Sequence, residues 1–300
     1  NKDYFQDLKN DKLQSLEIIE GELKLENISH LKGLTSLNLH SFSGLYFPES
    51  GSMLNFPALT SLSLNRSNFN ISDLNKFDCK NLIRLNAKVR YNAFGIGSQT
   101  KILDLGRLDI AHSFPQLKIF SICFKNCKVS DLILPPYLTY LDIELFGNEN
   151  LQSVVQNIAK LFSLRSLRLQ ASLKSIDSLF PSFNQLNSLT QIVLIISAAE
   201  NQTFENRVNF NTLPPNLSFY GIRYCLKEET DKQNFLTYID KILQRKNTLH
   251  TLTIAYNNGE ESTDLIRNGM ICNKEIPVVG IKSQADLWKT QEGLFYKYTV

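Results

Sequence analysis

The sequence predicts an α/β repeat solenoid, a coil in which parallel strands line one wall and helices or loops line the other. Two observations predict it. A short apolar motif recurs along most of the 300 residues, and its last two apolar positions alternate with polar ones. Alternation is typical of a short strand that is buried on one face only. Because one unit cannot bury its apolar residues alone, successive units are expected to stack into a common core.

The motif has the form Leu-x-x-Leu-x-Leu, and we call its apolar positions the first, second and third anchors. Ten copies are in phase: Leu13/Leu16/Ile18, Leu34/Leu37/Leu39, Leu59/Leu62/Leu64, Leu82/Leu85/Ala87, Leu117/Phe120/Ile122, Leu138/Leu141/Ile143, Leu164/Leu167/Leu169, Leu189/Ile192/Leu194, Leu217/Tyr220/Ile222 and Leu249/Leu252/Ile254. A degenerate eleventh copy is predicted at Ile276/Val279/Ile281. First anchors are 21 to 28 residues apart, except for two steps of 35 and 32 that leave room for longer outer segments.

This pattern resembles the leucine-rich-repeat superfamily from about Leu13 to Ile281. The resemblance implies a horseshoe with a parallel β-sheet on the concave face and helices and loops on the convex face. The next family position, usually Asn or Cys, is poorly kept. Cys225 and Asn257 match it, while Ser67, Ser172 and Ser197 are small polar substitutes. The asparagine ladder of the family is therefore expected to be largely missing, and the coil to be irregular.

The whole chain, residues 1–300, is predicted to be a single domain. Residues 1–12 would form an N-terminal cap, residues 13–282 the repeats and residues 283–300 a C-terminal cap. Helical spacing of apolar residues predicts outer helices over Leu151–Phe162 and Lys232–Lys246. Two strands are entered through matching Leu-Pro-Pro segments, Leu134–Leu138 and Leu213–Leu217.

Composition narrows the function classes. The 32 basic residues nearly balance the 29 acidic ones, so nucleic acid is not the expected partner. No stretch of about 18 apolar residues occurs, so no membrane span is expected. Five cysteines, an odd number, do not suggest a disulfide framework. An intracellular setting, cytoplasmic or nuclear, is favoured over an extracellular one.

No catalytic signature is found, and we predict neither an enzyme nor a cofactor, a metal site or a small-molecule substrate. The four histidines are scattered. Cys123 and Cys127 form the only close pair of potential metal ligands, and they are expected to diverge. The acidic pair Asp142 and Glu144, next to Arg168 in the predicted sheet, is interpreted as a solvated ion-pair cluster or docking patch rather than a hydrolytic site.

Function is predicted on the strand residues that flank the second and third anchors, because these face outward on the concave side. Along the array they pass through a basic, an acidic and an apolar step, a combination suited to protein recognition. The predicted partner-binding residues are Arg84, Lys88, Tyr140, Asp142, Glu144, Arg168, Gln170, Val193, Ile195 and Phe219. In an alternative reading, the segment 198–208 covers Val193 and Ile195.

The function predicted is a non-catalytic protein–protein interaction module that binds a macromolecular partner on its concave face. The irregular repeats, the Leu-Pro-Pro entries and the cysteine usage resemble fungal F-box-type leucine-rich-repeat proteins. That resemblance implies substrate recognition for a ubiquitin ligase, although nothing before Leu13 matches an F-box. The alternatives are a scaffold subunit of an intracellular complex and a cell-surface or secreted adhesin or receptor ectodomain.

Overall fold

The chain divides into two units, unit 1 over residues 1–164 and unit 2 over residues 165–300. The computed structural model describes residues 12–48, 52–65, 67, 69–88, 103–124, 127–145, 152–172, 181, 183–197, 213–224, 237, 251–256 and 278–280. That the whole chain forms one domain stays a prediction.

Unit 1 is built on parallel strands. In chain order they are β1 (Ser15–Lys24), β2 (Ser36–Tyr46), β3 (Leu54–Asn55), β4 (Ser61–Ser63), β5 (Phe77–Asp78), β6 (Arg84–Ala87), β7 (Leu103–Asp109), β8 (Ile119–Cys123), β9 (Cys127–Ile133) and β10 (Tyr140–Glu144). The main sheet has the order β1-β2-β4-β6-β8-β10. Two further parallel pairs, β3–β5 and β7–β9, lie outside that sheet.

Unit 2 is also built on parallel strands. Its strands are β11 (Ser166–Ser172), β12 (Gln191–Ser197), β13 (Phe219–Tyr224), β14 (Thr251–Tyr256) and β15 (Val278–Gly280). Each pairs in parallel with the next. A parallel sheet with few helices, an α/β arrangement, is therefore the fold of each unit in the part of the chain that is described.

The strand register follows the predicted anchors. In unit 1 the second anchors lie opposite one another in the order Leu16, Leu37, Leu62, Leu85, Phe120, Leu141. In unit 2 they follow as Leu167, Ile192, Tyr220, Leu252. The ten in-phase copies are therefore confirmed as ten parallel strands in register within their units.

The predicted eleventh copy is wrong by one residue. Leu252 lies opposite Val278 and Ile254 opposite Gly280, whereas the motif placed Val279 and Ile281 at those positions. Val278 and Val279 are both apolar and β-branched, so alternation alone does not distinguish the two registers.

The anchors form the core. All first, second and third anchors from Leu34 to Leu194 are at most 1% exposed. A fourth apolar position, not predicted, lies three residues before most first anchors: Leu31, Phe56, Cys79, Phe114, Leu161 and Leu186. The N–H of each first anchor donates to the carbonyl of this residue, which closes a tight turn before the strand.

The two Leu-Pro-Pro segments build the same turn with proline. The N–H of Leu138 donates to the Pro135 carbonyl and that of Leu217 to the Pro214 carbonyl. Proline fits because this position supplies only an acceptor. The preceding leucines of both segments are buried.

Backbone hydrogen bonds join successive repeats at the start of each strand. The carbonyl that follows a first anchor accepts two consecutive N–H groups of the next repeat: Gln14 from Thr35 and Ser36, Thr35 from Thr60 and Ser61, Thr60 from Ile83 and Arg84, and Lys118 from Thr139 and Tyr140. Hydroxyl groups strengthen this ladder, since Oγ1 of Thr35, Thr60 and Thr139 also donates to the carbonyl of the preceding repeat.

One serine replaces part of the missing asparagine ladder. Ser67 takes the family's Asn position and is fully buried. Its Oγ accepts the Phe42 N–H at 3.3 Å and lies 3.3 Å from the Leu39 carbonyl oxygen, to which it can donate. A hydroxyl group thus satisfies buried backbone groups in the middle of β2, the strand of the preceding repeat.

Helices are few among the described residues. The predicted helix Leu151–Phe162 is confirmed as α2 (Gln152–Ala159), which follows a short helix α1 (Ile110–Ser113). Two 3-10 helices, Leu25–Ile28 and Ile71–Lys76, connect strands. Of the predicted helix Lys232–Lys246 only Thr237 is described, and it is helical. Both predicted caps lie outside the described residues, except for Lys12.

Replacing Leu141 or Leu167 by Ala should lower the free energy of unfolding by about 2–5 kcal/mol, because each leucine is completely buried and its removal leaves a cavity. Denaturant unfolding followed by circular dichroism measures the loss. Phe162→Ala, at a side chain that is 67% exposed, is the control and should change stability little. Equal stability of all three variants would contradict the packing assigned to the anchors.

Ser67→Ala should cost about 1–3 kcal/mol, because it leaves buried backbone groups of the preceding repeat without their partner. Ser43→Ala is a matched control, since it removes a single hydrogen bond at an exposed serine. Unfolding of both variants should be compared with that of the parent. If Ser67→Ala lowers the free energy of unfolding no more than Ser43→Ala does, the role assigned to Ser67 in bonding buried backbone groups is wrong.

Candidate functional site

The residues between the anchors of unit 1 are in register and form rows on one face of the main sheet. The first row contains Ser15, Ser36, Ser61, Arg84, Ile119 and Tyr140, and the central row contains Glu17, Asn38, Ser63, Asn86, Ser121 and Asp142. Because neighbours in a row are about 4.8 Å apart, each row is a continuous ladder of side chains. This is the face on which the sequence predicts partner binding.

Exposure decreases along the central row. Glu17 at one end is exposed, whereas Asp142 at the other end is only 4% exposed. At the exposed end, the Asn38 side-chain amide donates to a Glu17 carboxylate oxygen at 2.6 Å. In the first row Arg84 is exposed and Tyr140 is partly exposed.

A lysine bridges two acidic residues across an intervening strand. Lys88 Nζ donates to Asp142 Oδ2 at 2.7 Å and to Glu144 Oε1 at 3.0 Å. Lys88 follows β6, and the carboxylates lie on β10, two strands away. The residues of β8 that align with the carboxylates are small, Ser121 and Cys123, so that a lysine chain can pass over them.

The sequence predicted a solvated ion-pair cluster or a docking patch at the acidic pair, and the prediction of a solvated cluster is wrong. The side chains of Asp142 and Glu144 are 6% and 16% exposed, and that of Lys88 is 21% exposed. Charges withdrawn from water in this way interact more strongly than surface pairs. Alternation placed the residues on one face, but it did not show how far that face is covered.

Asn86 carries an unsatisfied acceptor at the centre of the face. Its Oδ1 atom is buried and accepts no hydrogen bond within the described part of the chain. It lies between Ser63 and Ser121 in the register. A buried acceptor without a donor costs about 1–3 kcal/mol, so this position is not optimised for stability. The sequence places Asn86 on this face, but Asn86 is not among the predicted partner-binding residues. A single asparagine on a strand has no sequence feature that indicates function.

The predicted site residues of unit 2 are more deeply buried than expected. Arg168 and Val193 lie opposite one another, as do Gln170 and Ile195. Arg168 is 1% exposed, Val193 2% and Ile195 5%, so the expected exposure of these three side chains is wrong. Gln170 is partly exposed. For Phe219 only the backbone position on β13 is described, and the segment 198–208 lies outside the described residues.

The side chains of Cys79 and Cys123 are buried. Burial raises the pKa of the Cys79 thiol to about 12, so it remains protonated at neutral pH and is a poor nucleophile or metal ligand. Within the described ranges, no three His, Cys, Asp or Glu side chains are placed to hold a metal ion. Cys225 is not among the described residues.

No family model matches this chain, and a search of curated proteins finds no match either. Among the helices that are described, none is long and apolar enough to cross a membrane.

The coupling between Lys88 and Asp142 should be about 1–3 kcal/mol in a double-mutant cycle of Lys88→Met and Asp142→Asn, because both side chains are largely withdrawn from water. The comparison pair is Lys80 and Asp78, which are 3.9 Å apart and 61% and 40% exposed. Its coupling should stay below about 0.5 kcal/mol. Equal coupling in the two cycles would contradict the role of burial.

Proposed function

We propose that the chain is a leucine-rich-repeat solenoid that acts as a non-catalytic protein-binding module. The single observation that supports this most is the register, which collects the residues between the anchors into continuous rows on one face. In a solenoid of this kind that face is the concave wall.

We propose that the partner is a protein, because of the residue types on the face of unit 1. In the first row, Arg84 on β6 and Tyr140 on β10 lie on either side of Ile119 on β8. Arginine and tyrosine are among the residue types that most often dominate protein interfaces. Beside them, the unsatisfied oxygen of Asn86 is a local departure from stability of the kind found at functional sites.

The contact region we propose centres on Arg84, Asn86 and Tyr140. Lys88, Asp142 and Glu144 border it and hold one another in place. In unit 2, binding at Gln170 and Phe219 stays a prediction of the sequence. Arg168, Val193 and Ile195 are assigned to packing instead, because each is at most 5% exposed.

What the partner binding serves is a separate question. Substrate recognition for a ubiquitin ligase rests on the resemblance alone, and the scaffold and cell-surface roles are its alternatives. Affinity purification of the intact chain from cells, with identification of the co-purifying proteins, distinguishes them. Co-purifying ligase subunits would favour substrate recognition for a ubiquitin ligase. Subunits of a stable complex would favour the scaffold role, and extracellular ligands would favour the cell-surface role.

Arg84→Ala and Tyr140→Ala should each weaken partner binding by about 1–3 kcal/mol, since both remove large side chains from the centre of the proposed contact. Unfolding midpoints should stay close to that of the parent, because neither side chain is buried. Lys160→Ala, which removes an exposed cation at the end of α2, is the control and should bind normally.

Binding of these variants is measured by titration calorimetry with a partner captured by the intact chain. If the Lys160 variant loses binding while both face variants keep it, the proposed contact face is wrong.

A further inference from the structure

We propose that the edge of unit 1 at which β6, β8 and β10 begin binds an acidic segment of the partner protein. We call this the leading edge and define it by three segments, residues 79–84, 114–119 and 135–140. The inference rests on the proposed function and deepens it, because it names the chemistry of the partner. The placement of the three segments, their charge and their exposed apolar side chains support it.

Backbone hydrogen bonds hold the three segments side by side. The Ile83 carbonyl accepts from the N–H groups of Lys118 and Ile119, and the Lys118 carbonyl accepts from those of Thr139 and Tyr140. Since adjacent strands are about 4.8 Å apart, three neighbouring segments span only about 10 Å. A short stretch of a partner chain can therefore contact all of them.

The leading edge lies in a well-described part of the chain. Every position of its three segments is described, and the undescribed positions between residues 52 and 145 follow the other ends of β4, β6 and β8 along the chain. The exposure of its side chains is therefore a property of described residues.

All formal charges of the leading edge are positive. Its segments contain Lys80, Arg84 and Lys118 but no Asp or Glu. Lys80 lies 3.9 Å from the carboxylate of Asp78. Arg84 and Lys118 are exposed, and neither forms an ion pair with any described residue. Two exposed cations on so narrow an edge attract a carboxylate and repel a basic partner.

The carboxylates on β10 do not offset this charge. Asp142 and Glu144 lie further along the strand, about 7 Å and 13 Å from Tyr140 at about 3.3 Å per residue. Both bond to Lys88. The acidic side chains of β10 are thus paired within unit 1, which leaves the leading edge positively charged.

Two large apolar side chains accompany the cations. Ile83 is 40% exposed and Tyr137 is 66% exposed, and Pro136 beside Tyr137 is also exposed. Aromatic groups are enriched where proteins bind one another, and burial of exposed apolar surface favours association. The segment that fits therefore carries apolar residues between its carboxylates.

The test uses the full chain and a fluorescent eight-residue peptide that alternates glutamate and valine. Fluorescence anisotropy should show binding, and a peptide with lysine in place of glutamate should bind about tenfold more weakly or not at all. Lys118→Ala and Tyr137→Ala should each weaken binding of the acidic peptide by about fivefold or more. Lys24→Ala and Tyr46→Ala are the matched controls and should bind like the parent, since they remove an exposed lysine and an exposed tyrosine at the ends of β1 and β2.

Equal binding of the two peptides would overturn the proposal, and so would equal affinity of the parent, Lys118→Ala and Tyr137→Ala for the acidic peptide. The double variant Arg84→Glu/Lys118→Glu should reverse the preference between the peptides, and an unchanged preference refutes the proposal. Sedimentation with vesicles that contain phosphatidylserine completes the test. If the vesicles bind the parent and the acidic peptide does not, an anionic membrane takes the edge and the proposal is wrong.

Binding of a captured partner distinguishes a failure of this inference from a failure of the proposed function. If Tyr140→Ala weakens partner binding while Lys118→Ala and Tyr137→Ala do not, the contact face is retained and the acidic segment is wrong. If the two edge variants weaken it while Tyr140→Ala does not, the leading edge is retained and the contact region proposed on the face is wrong.

Discussion

In unit 1 the carbonyls of Gln14, Thr35, Thr60, Ile83 and Lys118, each just before a strand, accept two consecutive N–H groups from the next repeat, and the register of the main sheet follows from this contact. It sets the first residue of each strand opposite the first residue of its neighbour. Because side chains alternate strictly between faces, a shift of one residue would move the leucine anchors out of the core. The register and the burial of the anchors therefore stabilise each other.

Threonine suits the start of the strand because it contributes to this contact twice. Thr35, Thr60 and Thr139 donate through both the main chain and the hydroxyl group to the carbonyl of the preceding repeat. Where the side chain is Ile83 or Lys118, the backbone bonds alone remain. The bonds at the start of the strands, together with those of Ser67 to Leu39 and Phe42 within β2, take the place of a regular asparagine ladder.

The polar face is a consequence of the same register, and its character varies with the residues that the register aligns. Ser121 and Cys123 are small enough for Lys88 to reach across β8 to two carboxylates. This ion-pair cluster links the end of β6 to β10 across the intervening strand β8. The same face carries Asn86, whose buried Oδ1 atom accepts no hydrogen bond from the described residues.

The sequence by itself determined the repeats, their anchors, the parallel pairing and the residues that share each row, because these depend on alternation and spacing along the chain. It also indicated α2 through helical spacing. It did not distinguish Val278 from Val279 as an anchor, since both fit the pattern. Only the tertiary structure decided that Lys88 bridges Asp142 and Glu144, and that Arg168, Val193 and Ile195 are buried while Arg84 is exposed. Periodicity assigns a side chain to a face of the sheet, but its exposure and its partners depend on what packs against that face and on the size of the side chains between strands.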